Sequence, residues 1–277
     1  MNRPTGLCVI GAGAIAERHM EAFSRLGGVL PRWVVSEGED ATADFARRWR
    51  FDKAGTSMEP ALADPLVEVV LITSPSPLHS EQAVSALQAG KDVIVEIPVA
   101  LSWQEAQQVS ELAADLGRKV WVCHTMRSYA ALREVRNWVL SGRLTITQIA
   151  GFYGIPRRRN QGMGGIGTRT WIDNLLWHHG CHQVDASLWV LGMPQVAQVQ
   201  ALFGTTHPTL GMVLDTGVQM VAAEGELITH ALTYNLEQFA WRLRFIGHED
   251  VLTYDNGRLT NEAGEVLVAE TPLADLS

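Results

Sequence analysis

Short apolar runs alternate with amphipathic stretches through the first 123 residues. Leu7-Cys-Val-Ile10, Arg32-Trp-Val-Val35, residues 67–73, Asp92-Val-Ile-Val-Glu96 and Lys119-Val-Trp-Val-Cys123 read as strands. The most apolar of these runs fit strands covered on both faces. Between them, residues 17–26, 78–89 and 102–116 show helical spacing. Gly27-Gly28, Gly90 and Gly117 stand just past their ends, and Ser102 is placed to cap the third. Ser36-Glu37-Gly-Glu-Asp40 reads as an acidic loop. Strand–helix repetition of this kind predicts a doubly wound parallel sheet with right-handed crossovers.

Beyond residue 124 the pattern changes. Residues 128–140 have helical spacing through Leu132, Val135 and Val139. Strands are then predicted over 145–155, 196–203, 213–223, 227–236, 241–246, 251–254 and 258–260, with Asn256-Gly257 as a two-residue hairpin turn. Turns without intervening helices imply a mainly antiparallel open sheet with helices on one face. The chain therefore divides into residues 1–123 and an α+β domain of residues 124–277. Trp171 to Asp185 reads as one helix of the second domain, with His178, His182 and Asp185 at i, i+4 and i+7 on one face and Leu175, Leu188 and Trp189 turning that face inward.

Composition narrows the classes. Of 277 residues, 47% are hydrophobic and 19% charged, as in an ordinary globular protein. A net charge of −8 without a long basic run argues against nucleic acid or a membrane surface as partner. The N-terminus enters a strand without a secretory apolar region, and no apolar run approaches 18 residues, so a cytoplasmic protein with no membrane span is expected. Three cysteines at wide spacing predict neither a disulfide framework nor a zinc pattern.

Gly11-Ala-Gly13-Ala14-Ile15-Ala16 is a G-x-G-x-x-A turn between a strand and a helix. Gly11 suits the tight turn, Gly13 the close approach of a pyrophosphate, and Ala16 close helix–strand packing, which makes the first domain Rossmann-type. Glu37, about 20 residues on, stands where a carboxylate takes the adenosine ribose hydroxyls and repels an extra phosphate, favouring NAD over NADP. Ligands bind beyond the carboxyl ends of parallel strands, so Thr73-Ser74-Pro75, Glu96-Ile97-Pro98 and Cys123-His124-Thr125 are the candidate loops. His79 follows the first of these and either lines the cofactor or caps the next helix. Two histidines on one helix face allow three readings: acid–base catalysis, a metal pair, or a core histidine bonded to Asp185. Arg157-Arg158-Arg159 leaves a strand end close in sequence to that helix; it is either a solvated basic loop or, with Arg127 and Arg169, a field suited to carboxylates.

Together Gly11 to Ala16, Thr73-Ser-Pro-Ser-Pro-Leu-His79, residues 89–98 and His178-His-Gly-Cys-His-Gln-Val-Asp185 resemble, in order and spacing, the Gfo/Idh/MocA oxidoreductases. The family's Glu-Lys-Pro reads Glu96-Ile97-Pro98 here, and its Asp-x-Gly-x-His reads His178-His-Gly-Cys-His182. One branch, the 4-carboxy-2-hydroxymuconate-6-semialdehyde dehydrogenases, resembles the chain further in Glu96-Ile-Pro98, His124-Thr-Met-Arg127, Arg157-Arg-Arg-Asn160 and Trp171-Ile-Asp-Asn-Leu-Leu-Trp-His-His179. That branch has arginines after its second strand where this chain has Glu37, and it continues into a C-terminal helical segment past Ser277. The resemblance implies hydride transfer between a nicotinamide and a carbinol or hemiacetal carbon of a small carboxylated substrate, such as an aromatic ring-cleavage semialdehyde.

With no lysine at position 97, the proton falls to His182, with His178 sharing it and Asp185 or Asp173 fixing a tautomer. Gly11, Gly13, Ala14, Ile15, Glu37, Thr73, Ser74, Pro75, His79, Glu96 and Pro98 are then the cofactor set. His124, Arg127, Arg157, Arg159, Arg169, Trp171 and His179 are the substrate set, and no metal is implied. Trp171 and Trp177 either floor a flat substrate or, more simply, pack in the core. The family pairs its C-terminal sheets, implying a homodimer or larger homo-oligomer. Two other readings remain: a sugar or cyclitol dehydrogenase on the same fold, and a dinucleotide-binding sensor without activity.

Overall fold

A computed structural model describes residues 3–157 and 174–271, and the chain divides into two compact units, Met1–Cys123 and His124–Ser277. In the first unit, β1 (Thr5–Ile10), β2 (Val29–Val35), β3 (Lys53–Gly55), β4 (Val69–Ile72), β5 (Asp92–Val95) and β6 (Val120–Val122) form a sheet in the order β3-β2-β1-β4-β5-β6. Every neighbouring pair is parallel. The helices are α1 (Ala14–Leu26), α2 (Glu39–Trp49), α3 (Glu59–Ala63), α4 (His79–Gln88) and α5 (Trp103–Asp115). Ser102 caps α5 by accepting from the Glu105 N–H at 3.2 Å, as its position predicts.

Sheet residues feed two apolar clusters. Leu7, Val9, Val34 and Leu71 pack with Ala16, Met20, Phe45 and Phe51, whereas Cys8, Ile10, Val70 and Ile72 pack with Ala83, Leu87, Val93 and Val109. Alternate residues of β1 thus enter different clusters, as period-two geometry requires in a strand covered on both faces. The stretch from Glu39 to Asp64 departs from expectation: α2, β3 and α3 stand there. Thr42, Phe45 and Ala46 give α2 its buried face, while Glu39 and Asp40, read as loop residues, occupy its first turn. Acidic side chains are favourable at a helix N-terminus, so their charge did not mark a loop.

The second unit is an eight-stranded sheet with helices. Its strands are β7 (Ile146–Pro156), β8 (Val196–Phe203), β9 (Asp215–Ala222), β10 (Leu227–Thr233), β11 (Asn235–Gly247), β12 (Val251–Asp255), β13 (Arg258–Thr260) and β14 (Val266–Ala269), in the order β14-β13-β12-β11-β7-β10-β9-β8. All neighbours are antiparallel except β10 and β7, which run parallel. Asn256-Gly257 closes the β12–β13 hairpin between paired Asp255 and Arg258. The helices are α6 (Ala130–Leu140) and α7 (Cys181–Val190), and Leu132, Val135, Trp138, Ala186 and Val190 join Ile149, Leu232, Leu243 and Phe245 in one core cluster.

A polar column runs through that core. His230 of β10 is 4% exposed; its Nε2 lies 3.1 Å from Ser187 Oγ and its Nδ1 3.4 Å from Gln183 Nε2 on α7. The Trp241 indole of β11 donates to Gln183 Oε1 at 2.6 Å. With the amide donating to Nδ1, the ring carries its proton on Nε2 and donates to Ser187. Gly151 of β7 makes room for the column, since a Cβ there would lie 2.1 Å from Gln183 Nε2 and 2.4 Å from His230 Nδ1.

Burial drives the His230 pKa from its ordinary 6.5 down to about 3. In the unfolded chain the ring takes its proton first as pH falls, so this contribution to stability is complete above pH 6.5 and is lost toward pH 3. The slope is about 1.4 kcal/mol per pH unit, or about 2 kcal/mol between pH 6.5 and 5. Urea midpoints of wild type and His230→Gln at pH 7.5 and pH 5 measure it. We expect the variant to start less stable and lose less on acidification; equal losses would remove His230 from the acid response.

Candidate active site

In the first unit, Gly11 follows β1 at φ +98°, and a Cβ there would lie 2.7 Å from the Ser74 nitrogen and the Thr73 carbonyl carbon. Only glycine fits both the angle and the gap. Thr73 closes the turn, its hydroxyl donating to the carbonyl oxygens of Gly11 (2.9 Å) and Ile10 (3.1 Å). Gly13 precedes α1, and a Cβ on it would meet nothing within 4 Å. The helix starts at Ala14 without a side-chain cap, so the N–H groups of Ala14 and Ile15 have no acceptor within the helix. An open backbone surface beside uncapped amides fits a pyrophosphate. Glu37 is exposed two residues past β2, the strand beside β1.

The loops after β4 and β5 are tied together. His79 is 1% exposed, with Nδ1 2.7 Å from the Pro98 carbonyl oxygen and Nε2 2.8 Å from that of Ser74. It clasps two loops instead of offering a ring nitrogen to a ligand. Ser74 Oγ donates to Gln82 Oε1 at 2.5 Å, and Pro75 precedes a single 3-10 turn, Ser76–Leu78. Glu96 lies 2.5 Å from His19 Nε2 of α1 through Oε1, while its Oε2 accepts from the Ile97 N–H at 3.3 Å. The Cys123 sulfur lies within 4.8 Å of the His19 and Glu96 ligand atoms; burial first, and the Glu96 carboxylate second, push its pKa upward. Ile97 is 7% exposed, and its aliphatic side chain carries no proton chemistry beside Glu96. Sequence reasoning overlooked His19, whose one signal was its place on the helix that opens at the glycine turn.

In the second unit, Thr125–Ser128 forms a short 3-10 turn carrying Arg127. Its fork grips Asp185 of α7, with Nε to Oδ2 at 2.9 Å and Nη2 to Oδ1 at 2.5 Å. His124 Nδ1 stands 3.6 Å from the same carboxylate. Burial lowers the His124 pKa despite Asp185, and Arg127 adds to the lowering. Asp185 therefore serves Arg127 and His124, where a partner for His178 or His182 was expected. The guanidinium of Arg127, expected to meet substrate, has its fork occupied.

The expected continuous helix is also revised. Asn174 Oδ1 accepts from the Leu176 and Trp177 N–H groups, and a π turn spans Leu176–Gly180 before α7. A π turn inserts about one residue relative to α-helical register, so the i, i+4, i+7 count no longer aligns His178 with Asp185. Gly180 marks the spot: it is buried, and a Cβ would lie 2.8 Å from Leu232 Cδ1. The histidines cluster on this turn. The rings of His178 and His179 stand edge to face at 4.4 Å, and His179 Nδ1 is 2.6 Å from the Tyr234 hydroxyl.

Arg157 lies over the Tyr234 ring at 5.8 Å and hydrogen-bonds its hydroxyl; burial lowers the Arg157 pKa, and that contact opposes the shift. Tyr234 thus links the Arg157 guanidinium over its ring to the His179 imidazole at its hydroxyl. Tyr234, fully buried just past β10, had no signal in the sequence beyond the strand that precedes it. Trp177 is 40% exposed, against the core packing expected of it. His182 is half-buried on α7. Asp173, Arg159, Arg169 and Trp171 lie outside the described residues.

The profile of a family described as "Oxidoreductase family, NAD-binding Rossmann fold" matches residues 6–124, and one described as "Bacterial oxidoreductases, C-terminal" matches residues 131–267. A Sphingobium 4-carboxy-2-hydroxymuconate-6-semialdehyde dehydrogenase is 33% identical over 229 residues, covering 83% of this chain and 72% of its own length. The chain belongs to the Gfo/Idh/MocA oxidoreductase family. It is an NAD(P)-dependent oxidoreductase. The Ensifer adhaerens 1,5-anhydro-D-fructose reductase is 30% identical over 136 residues, covering 49% of this chain and 41% of its own length. In fold, the chain is similar to GenD2 from gentamicin A biosynthesis in complex with NAD, at a TM-score of 0.82 and 22% identity over 93% of this chain and 74% of that one. The family's two-part architecture, a parallel sheet and a largely antiparallel one, is the fold expected from the sequence. Among the described residues, no helix is long and apolar enough to cross a membrane.

Asp185→Asn tests the fork. Breaking a fully buried ion pair costs about 3–5 kcal/mol. Arg127 keeps 37% of its side-chain surface in water. We therefore expect a loss of about 1–3 kcal/mol by urea denaturation. A loss below about 0.5 kcal/mol, the range of an ordinary surface change, would mean that the fork does not hold α7.

Proposed function

We propose that this oxidoreductase transfers hydride between NAD and a carbinol or cyclic hemiacetal carbon of a small, multiply carboxylated substrate, of the kind produced by aromatic ring cleavage. The observation that carries the reading is the pairing of an imidazole-rich turn, His178 to His182, with the Arg157–Tyr234–His179 chain on one unit. The 33% identity to a dehydrogenase named for a carboxylated semialdehyde supports it.

In this reading Gly11, Gly13, Ala14 and Ile15 hold the pyrophosphate, and Glu37 takes the adenosine ribose. Thr73, Ser74, Pro75, His79, Glu96 and Pro98 shape the remaining wall, with Thr73 and His79 acting through the backbone they fasten. The dinucleotide, when bound, supplies the hydride acceptor. His182 takes the hydroxyl proton and His178 shares it. His179, its Nδ1 held by Tyr234, orients a substrate oxygen. Arg157 brings positive charge to a carboxylate, while Arg127 and His124 hold the floor through Asp185. The exposed apolar residues of edge strand β8, Val199, Leu202 and Phe203, suit a homo-oligomer contact through the second sheet. The specific observation behind a second reading, a sugar or cyclitol dehydrogenase, is the similarity to the anhydrofructose reductase. It predicts that Arg157 is dispensable.

Assays with ring-cleavage semialdehydes and with polyols, using NAD or NADP, separate the readings. His182→Ala should lower kcat by about 10²–10⁴, the usual span for a general base, with a smaller change in KM. Arg157→Ala should raise KM for carboxylated substrates alone; turnover of polyols that ignores Arg157 would favour the second reading.

Cofactor choice has its own test. Glu37→Arg should move the kcat/KM preference from NAD toward NADP, because it exchanges repulsion of a phosphate for attraction. An unchanged preference would take Glu37 out of the ribose site.

A further inference from the structure

We propose that His19, Glu96 and Cys123 form a binding site for a thiophilic divalent cation of the zinc class. Three separate elements deliver the donors: His19 from the second turn of α1, Glu96 from the residue after β5, and Cys123 from the residue after β6. One imidazole nitrogen, one carboxylate oxygen and one sulfur all lie within 4.8 Å of one another. Tetrahedral zinc, with bonds of about 2.0–2.3 Å, sets its ligand atoms about 3.3–3.8 Å apart. The 2.5 Å contact between His19 Nε2 and Glu96 Oε1 thus opens by somewhat under an ångström as the cation replaces a shared proton, and the sulfur draws in.

The donor set decides the class of ion. Calcium and magnesium take oxygen, whereas a nitrogen, a sulfur and a single carboxylate suit zinc or its neighbours. Three protein ligands leave a fourth position for water, the arrangement of an open site. The Ile97 N–H holds Glu96 Oε2, an outer contact that leaves Oε1 for the metal, and the Phe23 ring packs beside His19 at 6.1 Å. Both side chains keep about a fifth of their surface exposed, 21% for His19 and 18% for Glu96, so an ion has access. Nothing in the catalytic reading uses His19 or Cys123. On binding, the thiol gives its proton to solvent and the thiolate becomes the ligand; no oxidant or reductant is involved.

Cobalt(II), which reports sulfur ligation by a thiolate-to-metal charge-transfer band in the near ultraviolet, is the probe. The whole chain, stripped with a chelator and reduced, is titrated with cobalt and then with zinc in competition. We expect one equivalent bound with the band, the band absent in both Cys123→Ser and Cys123→Ala, and zinc affinity lowered at least tenfold in His19→Gln and in Glu96→Gln. Loss of an outer-shell partner alone already costs about 10–100-fold. Cys8→Ala and Cys181→Ser should keep the band; the second matters because Cys181 adjoins the histidine turn of the other unit. Circular dichroism checks that each variant is folded. No band in wild type at saturating cobalt, or a band that survives both Cys123 variants, would overturn the site and leave a hydrogen-bonded His19–Glu96 pair with a spectator thiol. The readout requires no turnover, so it is independent of the proposed reaction.

Discussion

The close approach of α7 to its sheet is the constraint on which the second unit depends. Two glycines permit it: Gly180, where a Cβ would meet Leu232, and Gly151, where a Cβ would meet Gln183 and His230. Once the backbones are this close, the polar groups between them have no access to water and must satisfy one another. Trp241, Gln183, His230 and Ser187 do so in a line. A hydrogen-bonded line allows one register, because sliding α7 by a residue would carry Gln183 and Ser187 away from Trp241 and His230. Position along α7 is therefore fixed from inside the core. The places of His182 and Asp185, on the same helix, follow from it.

The first unit works on the same economy at smaller scale. Thr73 and His79 both use polar side chains to bind backbone: Thr73 the glycine turn, His79 the loops after β4 and β5. Residues of this kind fasten loops through bonds to backbone. Their effect is to hold the carboxyl edge of the sheet, where open-sheet proteins bind their ligands, in one conformation. Gly13 gains its value from that rigidity, since empty space over a backbone recognises a phosphate only if the turn around it cannot move.

Much of this was readable in the residues, and what was not has physical reasons. Strands such as β1 and β8, the cap at Ser102 and the turn at Asn256-Gly257 depend on neighbours in sequence, and each stands where the pattern put it. The glycine turn was legible because its context, strand then helix, is local too. By contrast, β3 has three residues and no apolar period, so only its pairing with β2 makes it a strand. The π turn is invisible to a count of 3.6 residues, because it arises where Gly180 lets a helix sink against Leu232. Asp185 was placed on the correct helix and given the wrong partner, since Arg127 is 58 residues away in sequence and only the fold brings it near. Tyr234 and His230 were missed for the same reason: a lone polar residue in or beside a strand gives no sign of which face is buried.

Environment then sorts residues that composition treats alike. Five histidines fall within the second unit near α7, and burial separates them. His230 sits dry inside and stays neutral through the neutral range, which makes it a hydrogen-bonding part and useless for moving protons. His124 is partly withdrawn and leans on a carboxylate already shared with Arg127. His178, His179 and His182 are half-buried, in reach of water; the first two stand on a turn whose wider backbone crowds their rings together, and His182 lies at the start of α7 just after it. Proton exchange needs a group that can reach both solvent and reactant, so this turn is the place in the second unit suited to it. The substitution at position 97 makes the same point from the other unit. A buried isoleucine there removes any ammonium beside Glu96, and the charge left behind is answered within the first unit by His19 and Cys123. In the proposed reading, proton transfer and dinucleotide binding are thereby divided between two units, each with its own hydrogen-bonded support.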